Sequence, residues 1–314
     1  MHFAYPPRKS SNPPPFRPRS SRLAAARRSR LRTVALIGVG FLFLLYLLRG
    51  KSTGTAKGTT RHIPSGSPPV VIVTVVNYDN GMEYADVVKE NRISYAKLHG
   101  YETFFPHIGD YDLRGSPMSW TKVVALRHAL AKFPDASYIW FLDQEALIMN
   151  PEISVHKDIL AYEKLDKMML RRQPVTLPES VIKTYPQLKP NQIDLVLTQD
   201  KEGVDGKSMI LRNSDWSEFF LDTWYDPLFR SYNFELAETH TLEHIIQWHA
   251  TILSKLALIP QRTMNSYSDS TLGEAYAEGD FVVRFPGCTG TGEKSCQQEA
   301  SRYNERWRKA FASA

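Results

Sequence analysis

SYIWFLDQEALIMNP, residues Ser137 to Pro151, is the stretch whose reading decides the fold. Tyr138, Ile139, Trp140, Phe141 and Leu142 form an unbroken apolar run that ends on Asp143-Gln144-Glu145. A short continuous run of aromatic and β-branched residues predicts a fully buried strand of a mostly parallel sheet. Ligands of such sheets bind beyond the carboxyl ends of the strands. Two carboxylates two residues apart at that place can hold a divalent cation and, through it, a phosphate. The plain alternative is an acidic turn that closes a strand.

The flanking sequence supplies the rest of an α/β pattern. Upstream, Val70 to Val76 (VVIVTVV) reads as a second buried strand, closed by Asn77-Tyr78-Asp79-Asn80-Gly81. Tyr84, Val88, Asn91, Tyr95 and Leu98 then recur at helical spacing, with Gly100 as the expected C-terminal cap. Tyr101 to Pro106 resumes as strand. Ser119 is expected to cap a further helix carrying Val123, Leu126, Leu130 and Phe133 on one face, stopped by Pro134-Asp135. Strand–helix alternation of this kind gives right-handed parallel units. It brings the Asp143–Glu145 turn to the same sheet edge as Asn77 to Asn80.

Beyond Pro151 the pattern loosens. A helix is expected over Ile159 to Arg171, a loop over Pro174 to Pro190, and short strands at Ile193 to Leu197 and Met209 to Leu211. Two amphipathic helices follow, one with Trp216, Phe219, Phe220 and Trp224, a longer one from Leu242 to Leu256. Phe281 to Phe285 (FVVRF) reads as a last strand. Trp120 is expected in the core, and His244 and His249 as packed, hydrogen-bonded histidines. The two cysteines, Cys288 and Cys296, sit in one loop. A local disulfide is expected in an oxidising compartment, with unpaired thiols or half a zinc site as alternatives.

The N-terminal part is of another kind. Residues 1–32 hold nine Arg or Lys, no acid and a crowd of prolines, a composition that cannot bury a core. Val34 to Leu48 (VALIGVGFLFLLYLL) carries no charge. Fifteen residues span about 22 Å against a hydrocarbon core of roughly 30 Å, a gap that Thr33 and snorkelling Arg32 and Arg49 can close. We read 33–49 as an uncleaved signal anchor with the basic tail in the cytosol, and 50–69 as a flexible stem. Residues 70–314 are then a lumenal domain with 26 basic against 33 acidic residues, a net of −7. The excess of positive charge belongs to the tail, so nucleic acid is not expected as a partner.

Six stretches in order, NRISYAKLHGY (Asn91 to Tyr101), SWTKVVALRHAL (Ser119 to Leu130), WFLDQEALIMNP (Trp140 to Pro151), TQDKEGVDGKSMILRNSDWSEFFLDTW (Thr198 to Trp224), EHIIQWH (Glu243 to His249) and GDFVVRFPGC (Gly279 to Cys288), resemble the fungal Golgi galactosyl/mannosyltransferase family, glycosyltransferase family 34. Within it the chain is most similar to the α-1,6-mannosyltransferase complex subunits. The resemblance implies a GT-A fold and a retaining transfer of mannose from GDP-mannose, with UDP-galactose as the alternative donor. Mn²⁺ would bridge the diphosphate, held by Asp143 and Glu145 as hard-oxygen ligands. It further implies a type II Golgi membrane protein acting on N-glycan chains of glycoproteins, in company with other mannosyltransferase subunits.

The remaining site candidates follow from position and, for Asp205, Glu238 and Arg284, from what the resemblance implies. Asn77, Arg92, Lys122 and Arg284 are expected to contact the nucleotide or its phosphates, and Gln199, Asp200, Asp205 and Glu238 the sugar or the reacting centre. The chain departs from the family pattern at four places. Glu145 stands for the second Asp, Arg284 for a metal-binding His, Asp205 for Asn, and Thr239 for the Gln after Glu238. These departures motivate a second reading, a weakly active subunit that stabilises a transferase complex. A glycoside hydrolase with two flanking carboxylates is disfavoured, because Asp143 and Glu145 are too close along the chain to sit on opposite sides of a bond.

Overall fold

The computed structural model describes residues 34, 37–40, 64–176, 180–232, 234–292 and 294–314. The chain divides into a unit spanning Met1–Thr60, of which only five helical residues are described, and a unit spanning Arg61–Ala314. The tail, most of the expected anchor and residues 50–63 of the stem lie outside the described residues. Among the described residues no helix is long and apolar enough to cross a membrane.

The second unit opens with β1 (Val70–Val73), α1 (Met82–His99) and β2 (Glu102–Phe104). Gly100 ends α1 in the left-handed region, φ 66°, and returns its N–H to the Ala96 carbonyl. α2 (Thr121–Lys132) leads into β3 (Tyr138–Leu142), and after the Asp143–Glu145 turn comes β4 (Ala146–Ile148). The second half adds α3 (Tyr162–Met168), β5 (Leu195–Gln199), β6 (Val204–Arg212), α4 (Asp215–Trp224), α5 (Pro227–Ser231), α6 (Glu238–Trp248), α7 (Ala250–Leu253), β7 (Leu256–Leu258), β8 (Ser266–Tyr267), β9 (Val282–Arg284) and α8 (Cys296–Ala312).

Six strands form one sheet in the order β2-β1-β3-β6-β5-β7. β1 pairs in parallel with β2 and β3, and β5 with β7, whereas β6 runs antiparallel to both of its neighbours. The sheet is thus mostly parallel, with one reversed strand at its centre. Both faces are covered, and successive residues of a strand feed opposite cores. Val71, Val73, Ile139 and Phe141 pack with Trp120, Val123 and Leu126 of the α2 region and with Phe220, Trp224 and Ile245. Val70, Ile72, Trp140 and Leu142 pack on the other side with Tyr95, Ile148 and Phe281. Burial of each large apolar side chain contributes roughly 1.5–3 kcal/mol, which is why the strand signals hold no polar residue until the turn.

A small second sheet, β4-β9-β8, stands at the edge of the first. Its pairing of Ala146 with Arg284 and of Tyr267 with Arg284 brings three distant segments beside the acidic turn. α1 and α8 pack over it through Tyr84, Val88, Leu147, Val283 and Trp307. Cys288 and Cys296 form a disulfide in the same layer.

Four local expectations are corrected. Leu98 is 46% exposed rather than part of the α1 inner face, whose last buried residues are Tyr95 and Ala96. Ser119 does not cap α2; it lies in a 3₁₀ turn, Met118–Trp120, that runs straight into the helix. The expected helix over Ile159 to Arg171 shrinks to α3, preceded by a π-helical turn at Val155–Ile159. The long helix from Leu242 breaks at His249, whose extended backbone separates α6 from α7, and Leu256 already belongs to β7.

Candidate active site

The turn after β3 is held from three directions. Gln144, 4% exposed, pairs with the Asn77 backbone in both senses: its Oε1 accepts the Asn77 N–H at 2.7 Å and its Nε2 donates to the Asn77 carbonyl at 3.1 Å. The Tyr84 hydroxyl donates to the Gln144 carbonyl at 2.5 Å. Thr74 Oγ1 donates to the Leu142 carbonyl at 2.7 Å, tying β1 to the end of β3. The convergence of the Asn77 segment with the acidic turn is therefore a direct contact, but Asn77 makes it with its backbone. Its side chain accepts the Asp79 N–H.

Arg92 is put to a different use from the phosphate contact expected of it. It is fully buried on α1, donates from Nη2 to the carbonyls of Asp143 at 3.1 Å and Ala146 at 2.8 Å, and donates from Nη1 to Asn91 Oδ1 at 2.6 Å. Asn91 in turn bonds both backbone groups of Ile148. Burial lowers the guanidinium pKa to about 10, against the opposing pull of nearby Tyr84 and Asp143. Arg92 fixes the backbone on both sides of the acidic turn and has no access to a ligand.

The carboxylates themselves are half-buried. Asp143 Oδ1 accepts the Glu145 N–H at 3.0 Å, and Asp143 has no ion-pair partner among the described residues. Glu145 Oε2 meets Lys207 Nζ at 2.8 Å. Burial and the charge of Asp143 push the Glu145 carboxyl up, against Lys207 and Arg284, which pull it down. Lys207 lies on β6 directly across from the turn, and its carbonyl accepts the Asp143 N–H at 2.8 Å.

Behind the turn lies a buried charged cluster. Arg284 Nη1 donates to Asp205 Oδ2, and also to the Tyr267 hydroxyl at 3.0 Å. Asp205 further accepts from Asn265 Nδ2, from the Tyr267 hydroxyl at 2.9 Å and, through Oδ1, from the Lys207 N–H at 2.8 Å. Burial alone would raise the Asp205 pKa, but Arg284, the Lys207 amide and Asn265 outweigh it and hold the carboxylate below its ordinary range. A second buried pair, Lys122 Nζ to Glu238 Oε1 at 2.8 Å, joins α2 to the first residue of α6. Burial opposes both charges, yet mutual attraction wins, raising Lys122 and lowering Glu238.

Gln199 and Asp200 end β5 a little apart. Gln199 Nε2 donates to the carbonyls of Pro174 and Val175, and Asp200 caps its own turn by accepting the N–H groups of Glu202 and Gly203. Asp200 Oδ2 also accepts from the Tyr267 hydroxyl, which links it to Asp205. Gly203 in that turn has φ 142°, and a Cβ there would meet Glu243 Oε1 at 1.9 Å, so only glycine fits. Gln199 and Asp200 line a cleft of ≈500 Å³ with Leu170, Gln173, Gly273 and Glu274. A cavity of ≈610 Å³ at Asn150, Tyr276, Arg306 and Lys309 contains none of the candidate residues, so charge and sheet topology locate the site, not volume.

The structure thus gathers Asp143, Glu145, Asp205, Glu238, Lys122 and Arg284 in one mutually interacting set. Sequence reading overlooked Lys207, Gln144, Tyr267 and Asn265. Lys207 and Asp205 alternate on one strand, a period-two signal that could have been followed from Asp205.

No cluster of three or more His, Cys, Asp or Glu side chains is arranged to hold a metal among the described residues. The donor set nevertheless fits a small hard dication, which is commonly held by one or two carboxylates with substrate phosphates and water completing the shell. Asp143 and Glu145 are such a pair. Lys122 and Arg284 are buried in ion pairs with Glu238 and Asp205, whereas Lys207 beside Glu145 is partly exposed.

A family model described as the galactosyl transferase GMA12/MNN10 family matches residues 66–296. An uncharacterized alpha-1,2-galactosyltransferase of Schizosaccharomyces pombe is 33% identical over 231 residues, 70% of this chain and 70% of that protein. An alpha-1,2-galactosyltransferase of the same organism is 27% identical, over 79% of this chain and 68% of its own length. The probable alpha-1,6-mannosyltransferase MNN11 of Saccharomyces cerevisiae is 29% identical, over 78% of this chain and 63% of its own length. The match runs from before β1 to the start of α8 and takes in every residue of the charged set. The chain belongs to the galactosyl transferase GMA12/MNN10 family, and is a hexosyltransferase of glycosyltransferase family 34.

Proposed function

We propose that the protein is a retaining α-mannosyltransferase that uses GDP-mannose, with the donor diphosphate at the Asp143–Glu145 turn. The observation that carries this reading is the placement of two half-buried carboxylates at the carboxyl end of β3, between Lys207 and the Arg92-fixed backbone. Mn²⁺ held by Asp143 and Glu145 would supply Lewis-acid stabilisation of the departing nucleoside diphosphate.

Around that group the chain's own residues have distinct tasks. Gln144, Tyr84 and Arg92 hold the turn rigid, so the carboxylates are preorganised. Lys207, partly exposed beside the turn, is the cation we assign to the leaving group. To Asp205 and Glu238 we assign electrostatic support of the transferred sugar; in the structure both are held ionised by buried partners, Arg284 and Lys122. Front-face departure needs such electrostatic support near the anomeric carbon more than it needs a strong base.

The expected setting is that of a type II Golgi membrane protein with this domain in the lumen. The acceptor would be glycoprotein N-glycan chains, with other mannosyltransferase subunits as partners. A second donor, UDP-galactose, is favoured by the alpha-1,2-galactosyltransferase descriptions of two relatives. A thermal-shift panel of GDP-mannose, GDP, UDP-galactose and UDP, each with and without Mn²⁺, separates the two. Stabilisation by guanosine nucleotides with Mn²⁺ is the expected result; stabilisation by uridine nucleotides alone overturns the mannose assignment.

A further inference from the structure

We infer that Lys207 is a tethered competitor for the divalent metal, its ammonium holding Glu145 until a metal ion displaces it. The inference rests on the reading of Asp143 and Glu145 as metal ligands.

Four observations lead to it. First, β6 runs antiparallel to β3 with Ser208 opposite Leu142, and the bond from Asp143 N–H to the Lys207 carbonyl extends that ladder by one residue. Lys207 is therefore fixed beside the acidic turn by backbone pairing. Second, its Nζ meets Glu145 Oε2 at 2.8 Å, whereas Asp143 is left without an ion pair among the described residues.

Third, the other three cations of the site are committed elsewhere. Arg284 is paired with Asp205 and Lys122 with Glu238, all with side chains no more than 6% exposed, and Arg92 is spent on carbonyls. The Lys207 side chain is 32% exposed, so its ammonium can turn to solvent without stranding a charge in the core. Fourth, a dication held by Glu145 would stand only a few ångströms from the ammonium on the same carboxylate, so the two cations repel and each weakens the other's hold.

Lys207 and the metal thus compete electrostatically for one carboxylate. In the absence of metal the lysine neutralises a carboxylate that Asp143 would otherwise repel. When metal enters, the displaced ammonium stays at the mouth of the site, where an anionic donor arrives. A permanent spectator pair would behave differently, since an exposed ion pair contributes little and would not couple to metal.

The test is Mn²⁺ binding by the full chain in detergent without nucleotide, followed by loss of the free Mn²⁺ electron paramagnetic resonance signal. Lys207→Gln is expected to bind Mn²⁺ about tenfold more tightly than the unaltered protein, the scale of one charge-assisted bond. Lys207→Arg retains the competing cation and is expected to stay within about threefold of it. In a Glu145→Gln background the effect of Lys207→Gln should vanish, because the shared carboxylate is gone. Equal affinities for Lys207→Gln and the unaltered protein overturn the inference, as does an undiminished effect in the Glu145→Gln background, while leaving the metal site intact. Absence of Mn²⁺ binding in every variant, or binding indifferent to Asp143→Asn, overturns the metal-ligand reading itself and the inference with it.

Discussion

Arg284 and Asp205 form a buried ion pair that fastens β9 of the small sheet to β6 of the large one, with side chains 6% and 5% exposed. Both positions depart from the pattern of the family the sequence resembles, a His and an Asn there. In this chain the two departures are in contact, and each supplies what the other lacks. Arg284 cannot ligate a metal, and Asp205 gives its charge a partner in the core.

Breaking that pair from one side leaves an uncompensated charge in the core, which costs about 3–5 kcal/mol. Asp205→Asn and Arg284→Met are each expected to lose stability on that scale in urea denaturation. Changing both residues together, Asp205→Asn with Arg284→Met, removes both charges at once and is expected to cost less than the two single changes summed. Strict additivity would show that the pair is not coupled.

The buried pairs also set a pH response. Asp205 and Glu238 titrate below their ordinary values in the folded protein. Between the folded and unfolded values the unfolded chain binds more protons, so the stabilisation is complete above the unfolded carboxyl range near 4 and is lost as pH falls through the folded values. Lys122, raised, contributes below the ordinary lysine range and loses its contribution only as pH climbs through the folded value. Stability should therefore be level through neutrality and fall in acid. Glu238→Gln is expected to lower the melting temperature at pH 7 and to flatten the decline toward pH 3. Parallel curves for the variant and the unaltered protein would count against the Glu238 contribution.

What the sequence revealed and what it hid divide by distance along the chain. β1, β3 and α1 were legible because their burial patterns are written in consecutive residues, and the Asp143 turn because it ends such a run. The apolar pattern predicts only Met209 to Leu211 of β6, which runs from Val204 to Arg212, because Asp205, Gly206 and Lys207 are polar or small. The Lys207–Glu145 bond joins residues 62 positions apart, and no local pattern announces it. Arg92 shows the reverse error. Its neighbour Asn91 is expected on the inner face of α1, while Arg92 is expected at the donor phosphates; burial and bonds to the Asp143 and Ala146 carbonyls give it a structural place instead. The break at His249 carries no Gly or Pro to mark it.

Asp143 bears the functional reading most directly. Asp143→Ala removes a half-buried carboxylate whose only described hydrogen bond is the local one from the Glu145 N–H, so the fold is expected to survive. Glycosyl transfer should fall by roughly 10²–10³-fold or more, the scale of losing a main electrostatic stabiliser. Mn²⁺-dependent stabilisation by nucleotides should disappear in the same thermal-shift measurement. Nucleotide binding that remains Mn²⁺-dependent in this variant would remove Asp143 from the metal site.

The backbone frame around the turn makes a separate claim, that positioning rather than charge alone supports transfer. Gln144 carries no charge and contacts the Asn77 backbone on both of its polar atoms. Gln144→Ala leaves the Asn77 N–H and carbonyl without those partners, a loss of about 1–3 kcal/mol. Because Asp143 and Glu145 keep their identities, weak metal binding should persist while the turn loses its fixed geometry. The expected kinetic result is a fall in kcat larger than any rise in KM for the donor, since misplacement penalises the transition state more than ground-state binding. Unaltered kcat in Gln144→Ala, with stability lowered as stated, would reduce this clamp to a purely structural role.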